Sequence, residues 1–166
     1  MMSIRTEAPE DRDAIHRLLV ECFPTDGEAN LVDRLRADGD LVISLVALVD
    51  HQIVGHVACS PVTTARGATG LGLAPIAVAT THRRQGIAAH LVESAHDLAH
   101  AMGHAWIVVL GDPAYYARFG YAPASTHGLV DAYGGGDAFQ VLALCDGAVP
   151  TGDGLVEYAR AFASLG

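Results

Sequence analysis

The chain of 166 residues is 51% apolar and 17% charged, a globular composition long enough for one domain, residues 1–166, with a sizeable core. A net charge of −9 excludes a broad nucleic-acid surface, because neutralising phosphates takes clustered cations, so any bound anion is held locally. All ten basic residues are arginine, which removes a Walker-type phosphate lysine, a pyridoxal Schiff base and a lysine nucleophile.

The N-terminal MMSIRTEAPEDRD lacks the apolar core of a secretory signal, and no later apolar run reaches the roughly 20 residues that span a bilayer. A cytoplasmic protein with no membrane partner is expected. Ser3–Thr6 reads as a short strand. Pro9 suits a first helical turn, and Ile15, Leu18, Leu19 and Cys22 continue at helical spacing to Phe23-Pro24. A second helix is expected from Glu28 to Asp38, with Leu31, Val32 and Leu35 inward and Gly39 ending it. Leu41–Val49 and Ile53–Val62 are predicted strands flanking the hairpin-like Asp50-His51-Gln52. Leu71–Val78 is a third, after a break at Gly67–Gly70.

The clearest helical periodicity runs from Gln85 to Met102, with Ile87, Ala88, Leu91, Val92, Ala95, Leu98, Ala99 and Met102 on one stripe. His96, His100 and His104 have metal-ligand spacing but fall opposite that stripe, on a face that reads as solvated, so no metal is assigned. Trp106–Leu110 is a continuous apolar run, as in a strand buried on both faces. A short helix over Ala114–Phe119 is expected next, then a loop with Gly134-Gly135-Gly136, a strand at Phe139–Cys145 and a helix from about Leu155 to Ala163. The succession of strand, long helix and strand implies a parallel pair joined by a crossover, inside an otherwise antiparallel meander. Cys22, Cys59 and Cys145 form no C-x-x-C pair and read as reduced, mostly buried thiols.

Chemistry concentrates where the long helix begins. A helix's first turn carries N–H groups without intrahelical partners and a partial positive charge. Gly86 lets a ligand approach the backbone, Ala88 keeps the next position small, and Arg83 and Arg84 add fixed charge. Together they can cradle a pyrophosphate; a common glycine beside two solvated arginines is the plainer alternative. The spacing is not G-x-G-x-x-G, which disfavours a Rossmann dinucleotide site.

Arg83-Arg84-Gln85-Gly86-Ile87-Ala88 resembles the R/Q-x-x-G-x-G/A signature of the GNAT N-acetyltransferase superfamily, whose loop grips the pyrophosphate of acetyl-CoA. LGLAPIAV resembles that family's central strand, and LGDPAYYARFGY its distal motif. The two motifs stand in family order, and the resemblance covers most of the chain. Within the superfamily the chain is most similar to the YhbS-like group of predicted bacterial acetyltransferases, through GHVACSPV, LAPIAV and VVLGDPAYYARFGY. Where that group has a His-Pro-Asp-like step before the loop, this chain has Ala79-Thr80-Thr81-His82.

The resemblance implies an α/β (α+β) fold of GNAT type: a mixed, mostly antiparallel sheet with a central splayed parallel strand pair and flanking helices. It also implies acetyl transfer from acetyl-CoA to an amine, without a metal. Arg83, Arg84, Gln85, Gly86, Ile87 and Ala88 are then the diphosphate contacts. Backbone groups of Ile76, Ala77 and Val78 pair with the pantetheine arm like an added strand and supply an oxyanion donor. Tyr116, four before Gly120, matches the tyrosine beside the cofactor sulfur and is the expected acid for the departing thiolate. Tyr115 matches the more apolar member of the pair, and for both a packed aromatic is the plainer role.

The central strand offers no acidic base. Glu28 and His56 are the candidates, the histidine with an ordinary pKa of about 6.5, although orientation alone suffices if the amine arrives neutral. His56 shares a strand face with Ser60, where a polar cluster is the alternative role. Asp112 can steer a cationic amine or cap the short helix with Pro113. The expected partner is a small-molecule or peptide amine, walled by the Tyr133–Gly136 loop and the Glu28 region, and many relatives form homodimers. A catalytically silent acyl-CoA sensor would keep Gly86 and the arginines without a thiolate acid; Tyr116 favours the enzyme.

Overall fold

Every element of the computed structural model, which describes residues 1–165, belongs to one of two compact units, except three that run through both. The first unit comprises Met1–Cys59, Pro75–Asp97 and the described residues from Arg160; the second comprises Ser60–Ala74 and Leu98–Ala159. The three shared elements are β3 (Gln52–Thr64), β4 (Thr69–Val78) and the helix α3 (Ile87–Ala101).

In the first unit β1 (Met2–Thr6), β2 (Ile43–Val49) and the first part of β3 are antiparallel neighbours, with Met2 opposite Val49 and Ile43 opposite Cys59. Asp50 and His51 turn the β2–β3 hairpin with φ of 50° and 65°, the left-handed pair that a two-residue hairpin loop requires. A 3-10 turn at Pro9–Asp11 leads into α1 (Arg12–Cys22); α2 (Gly27–Asp38) stops at Gly39, whose φ of 77° makes it a left-handed cap. Ile15, Leu18 and Leu19 of α1 and Ala29 and Val32 of α2 close a core with Val46, Ala58 and Ala77. α3 comes so near β3 that a Cβ on Gly55 would lie 3.0 Å from Leu91 and 3.2 Å from Ile87, so this glycine sets the approach of the helix.

The α3 stripe is as expected at Ile87, Leu91, Val92, Ala95 and Ala99, all buried, but Met102 lies beyond the helix and is 49% exposed. His96, expected in solvent with His100, is half-buried, and burial pushes its imidazole down to about 4. The reason is helical geometry: His96 neighbours Val92 and Ala99 on the helix surface, so it borders a buried arc wider than the predicted stripe.

In the second unit β4 pairs in parallel with β5 (Trp106–Leu110) at Leu71↔Ile107 and Gly72↔Val108, as the crossover implied, and both strands run on past that pairing. α4 (Pro113–Tyr116) continues as a 3-10 turn over Ala117–Phe119. β6 (Ala122–Pro123) lies antiparallel to β8 (Phe139–Ala143), which is in turn antiparallel to β5. β7 (Leu129–Asp131) runs parallel to β9 (Gly154–Tyr158), and β9 is antiparallel to the second part of β3.

β9 replaces the predicted C-terminal helix: only Arg160–Leu165 is helical there, as a 3-10 segment. Val156 is buried between exposed Leu155 and Glu157, a period of two that a strand demands and a helix does not. The thiols also depart from expectation, since Cys59 is buried, Cys22 half-buried and Cys145 exposed. Among the described residues no helix is long and apolar enough to cross a membrane.

The core of this unit gathers Val62, Trp106, Val108, Ala124, Leu129, Phe139, Val141 and Val156. Gly70 admits the indole of Trp106, because a Cβ there would sit 2.5 Å from the ring. Gly70→Ala is therefore expected to overpack the site and lower stability by about 1–3 kcal/mol, read as a lower urea midpoint with unchanged slope.

Candidate active site

The loop from β4 to α3 is built in the first unit. The Ala79 N–H donates to the Val54 carbonyl at 2.8 Å, and Thr80–His82 form one 3-10 turn. Arg83 then folds back, its Nε donating to the Val78 carbonyl at 3.0 Å, while the Cys22 thiol reaches the same oxygen at 3.5 Å. Arg84 and Gly86 follow with φ of 64° and 80°. A Cβ on Gly86 would meet nothing within 4 Å, so backbone conformation and open space, rather than packing, favour glycine there.

The Gly86 carbonyl accepts from the His90 N–H at 3.1 Å. The amides of Ile87, Ala88 and Ala89 thus precede the first intrahelical donor and have no partner within the helix. Ile87 is buried and anchors the turn, Ala88 is half-buried, and Arg83, Arg84, Gln85 and Gly86 are exposed. Leading amides, a helix dipole and the Arg84 charge suit this mouth to a phosphate group. On the preceding strand Ala77 points into the core, whereas Ile76 and Val78 are half-buried. The Val78 carbonyl is thus taken by Arg83 and Cys22.

Tyr116 lies in the second unit. Asp112 caps α4, its Oδ1 accepting from the Ala114 N–H at 3.0 Å with Pro113 at the first helical position, so capping is its role. Tyr116 is 8% exposed, edge-on to Tyr115 at 5.1 Å and to Tyr121 at 5.6 Å between ring centroids. Burial, and then Tyr115, pushes its phenol up to about 12. A Cβ on Gly111 would lie 2.6 Å from the Tyr116 ring, so glycine is what lets the ring in. Gly111 is itself fixed, its N–H on the Ala138 carbonyl at 3.0 Å and its carbonyl accepting from Gln140 Nε2 at 3.3 Å. The sequence reading missed this support, though a glutamine inside the apolar run FQVLA was a visible signal.

The two base candidates are both in the first unit and differ sharply. Glu28 is half-buried in the first turn of α2. His56 is wholly buried, its Nε2 2.8 Å from Ser44 Oγ, and its Nδ1 has no hydrogen-bond partner among the described residues. Ser44 Oγ hydrogen-bonds to Glu7, which accepts from Arg36 Nε at 2.9 Å and Nη2 at 3.0 Å. Burial outweighs the pull of Glu7 and pushes His56 down to about 4. Taking a proton from an ammonium near 10 onto such a group costs roughly 8 kcal/mol, so the polar-cluster role suits His56 better than proton uptake. Glu7 and Arg36 stand 29 residues apart, with no local pattern to announce them. Among the described residues no group of three or more His, Cys, Asp or Glu is placed to hold a metal.

Residues 3–124 match the acetyltransferase (GNAT) domain family, and the chain belongs to that family, which makes it an acyltransferase by class. The fold agrees, a mixed sheet with a parallel β4–β5 pair and packed helices. The uncharacterized N-acetyltransferase YhbS of Escherichia coli strain K12 is 44% identical over 164 residues, 97% of this chain and 98% of that protein. The crystal structure of Escherichia coli YhbS in complex with CoA superposes with a TM-score of 0.94 at 43% identity, covering 99% of this chain and 93% of that one. A GNAT family acetyltransferase from Brucella melitensis in complex with acetyl-CoA superposes at 0.81 with 34% identity, covering 98% of each chain.

The His56 environment sets a pH dependence. The unfolded chain binds a proton on this histidine below about 6.5, and the folded chain does so only near 4. Its stabilising contribution is therefore complete above pH 6.5 and lost as the pH falls toward 4, amounting to about 3 kcal/mol. His56→Asn is expected to make the fall in thermal stability across that window shallower, with His96, also held near 4, supplying part of the slope that remains, seen by calorimetry from pH 7 to pH 4.

Proposed function

We propose that the chain transfers an acetyl group from acetyl-CoA to an amine, working in the cytoplasm on a small-molecule or peptide acceptor. The observation that carries this is the mouth of α3: an open, left-handed Gly86 (φ 80°) followed by three amides without intrahelical partners, beside exposed Arg84. Gln85 lies on the same exposed turn, and the Ile87 and Ala88 amides are the groups that would meet a diphosphate at the positive end of the helix. The CoA and acetyl-CoA held by the Escherichia coli and Brucella melitensis relatives support the same reading.

In this reading the neutral amine nitrogen attacks the thioester carbonyl, forming the N–C bond. N–H groups of Ile76–Val78 receive the oxyanion, and collapse breaks the C–S bond. The thiol of CoA has a pKa of about 8.5 by analogy with cysteine, well below a phenol held at about 12. Complete transfer from Tyr116 to the leaving thiolate is thus uphill by about 5 kcal/mol. Tyr116 acts instead as a hydrogen-bond donor to sulfur as charge builds there, and the proton lost by the attacking nitrogen is what finally protonates thiolate or solvent. Glu28 is the remaining side-chain candidate to receive that proton first.

Two variants test the two halves of the reading. Gly86→Asp puts a Cβ into left-handed backbone and a carboxylate beside the diphosphate, and is expected to abolish acetyl-CoA binding in a calorimetric titration; unchanged affinity overturns the cradle. Tyr116→Phe is expected to leave binding intact and slow turnover about a hundredfold in a thiol-release assay with an amine panel. Full-rate turnover removes the tyrosine from the mechanism, and binding without any thiol release in the wild type identifies a sensor instead.

A further inference from the structure

Two arginines stand at the mouth of α3, and one of them is already committed. The Ala79 N–H reaches back to the Val54 carbonyl at 2.8 Å, and the Ala79 carbonyl accepts from the His82 N–H at 2.9 Å. Arg83 follows in extended backbone, φ −73° and ψ 158°, and its Nε donates to the Val78 carbonyl at 3.0 Å. The Cys22 thiol, at the end of α1, meets the same oxygen at 3.5 Å. One carbonyl thus gathers the end of β4, the end of α1 and the loop, and all of these residues lie in the first unit. Only after this junction does the chain enter left-handed backbone, at Arg84 and Gly86.

The atom that makes the bond separates the two arginines. Nε carries a single hydrogen, so that donor is spent on Val78, and the side-on edge of the Arg83 guanidinium is not open to a phosphate. The bond closes the loop through a side chain of the loop itself, onto a carbonyl five residues earlier. Arg84 is exposed and sits inside the left-handed reversal, past the junction. We infer that Arg83 is a positioning residue: its Nε holds the loop on Val78 and so places the leading amides of α3, while the charge offered to a diphosphate is that of Arg84. The inference rests on the reading that acetyl-CoA binds at this mouth, and its structural half is testable without that ligand.

Side-chain chemistry makes the two roles separable. Glutamine carries its amide nitrogen as many bonds from Cα as arginine carries Nε, so it keeps the donor and drops the charge. Lysine keeps the charge but has a methylene at that point of the chain. In calorimetric titrations of the full chain with acetyl-CoA, Arg83→Gln is expected to bind within about threefold of wild type and Arg83→Lys about tenfold more weakly. At Arg84 the order is expected to reverse, lysine binding more tightly than glutamine. Hydrogen exchange of the free chain gives a second readout at the Ala79, His82 and His90 amides, each bonded to a main-chain carbonyl. Arg83→Lys is expected to speed their exchange about tenfold and Arg83→Gln to leave it near wild type. An Arg83→Lys chain that binds as tightly as wild type, the same order of variants at both arginines, or equal exchange in the two Arg83 variants overturns the inference. A wild type that takes up no acetyl-CoA removes the diphosphate reading instead, and the exchange comparison still judges the hold on Val78.

Discussion

The carbonyl of Val78 receives the Arg83 guanidinium at 3.0 Å and the Cys22 thiol at 3.5 Å, and through it the end of β4 fixes the beginning of α3. Everything at the helix mouth follows from that attachment. With Arg83 turned back, the chain has three residues in which to reverse into a helix, and it does so through left-handed Arg84 and Gly86. Gly55 completes the arrangement from below, letting Ile87 and Leu91 press onto β3. A row of helix amides is useful to an anion only if it is held still, and here strand end, loop and first turn are pinned by separate contacts.

The second unit treats Tyr116 differently. Its ring is wedged over Gly111 and among aromatic neighbours, and the same burial that fixes the ring makes the phenol a poorer acid. Orientation and acidity pull against each other, and the balance favours orientation. A phenol held that high stays protonated, and so remains a hydrogen-bond donor, at every physiological pH.

Much of this was legible in the sequence, and the parts that were not have physical reasons. The strip from Leu71 to Leu110 reads almost unaided, because a buried parallel pair and a long amphipathic helix impose strong periods, and Gly86 and Tyr116 sit at fixed offsets from them. β6 and β7 have two and three residues, too few to display any period. The segment Gly154–Tyr158 read as helix because a short apolar run suits either geometry, and only its partners β3 and β7, remote in sequence, decide for a strand. His56 looked like a base from its intrinsic chemistry; what changes it is Glu7, Ser44 and Arg36, brought together by three different elements or their flanks.

Arg84 holds a backbone angle of 64° that glycine or asparagine adopts with ease and arginine does not, a conformational burden of about 1–2 kcal/mol. Its side chain is exposed, so no packing compensates it. Selection for thermal robustness alone would replace it with glycine or asparagine. Glycine in its place would relieve that strain and at the same time remove an exposed positive charge from the mouth of α3, so folding stability and local charge are set against each other at this one residue.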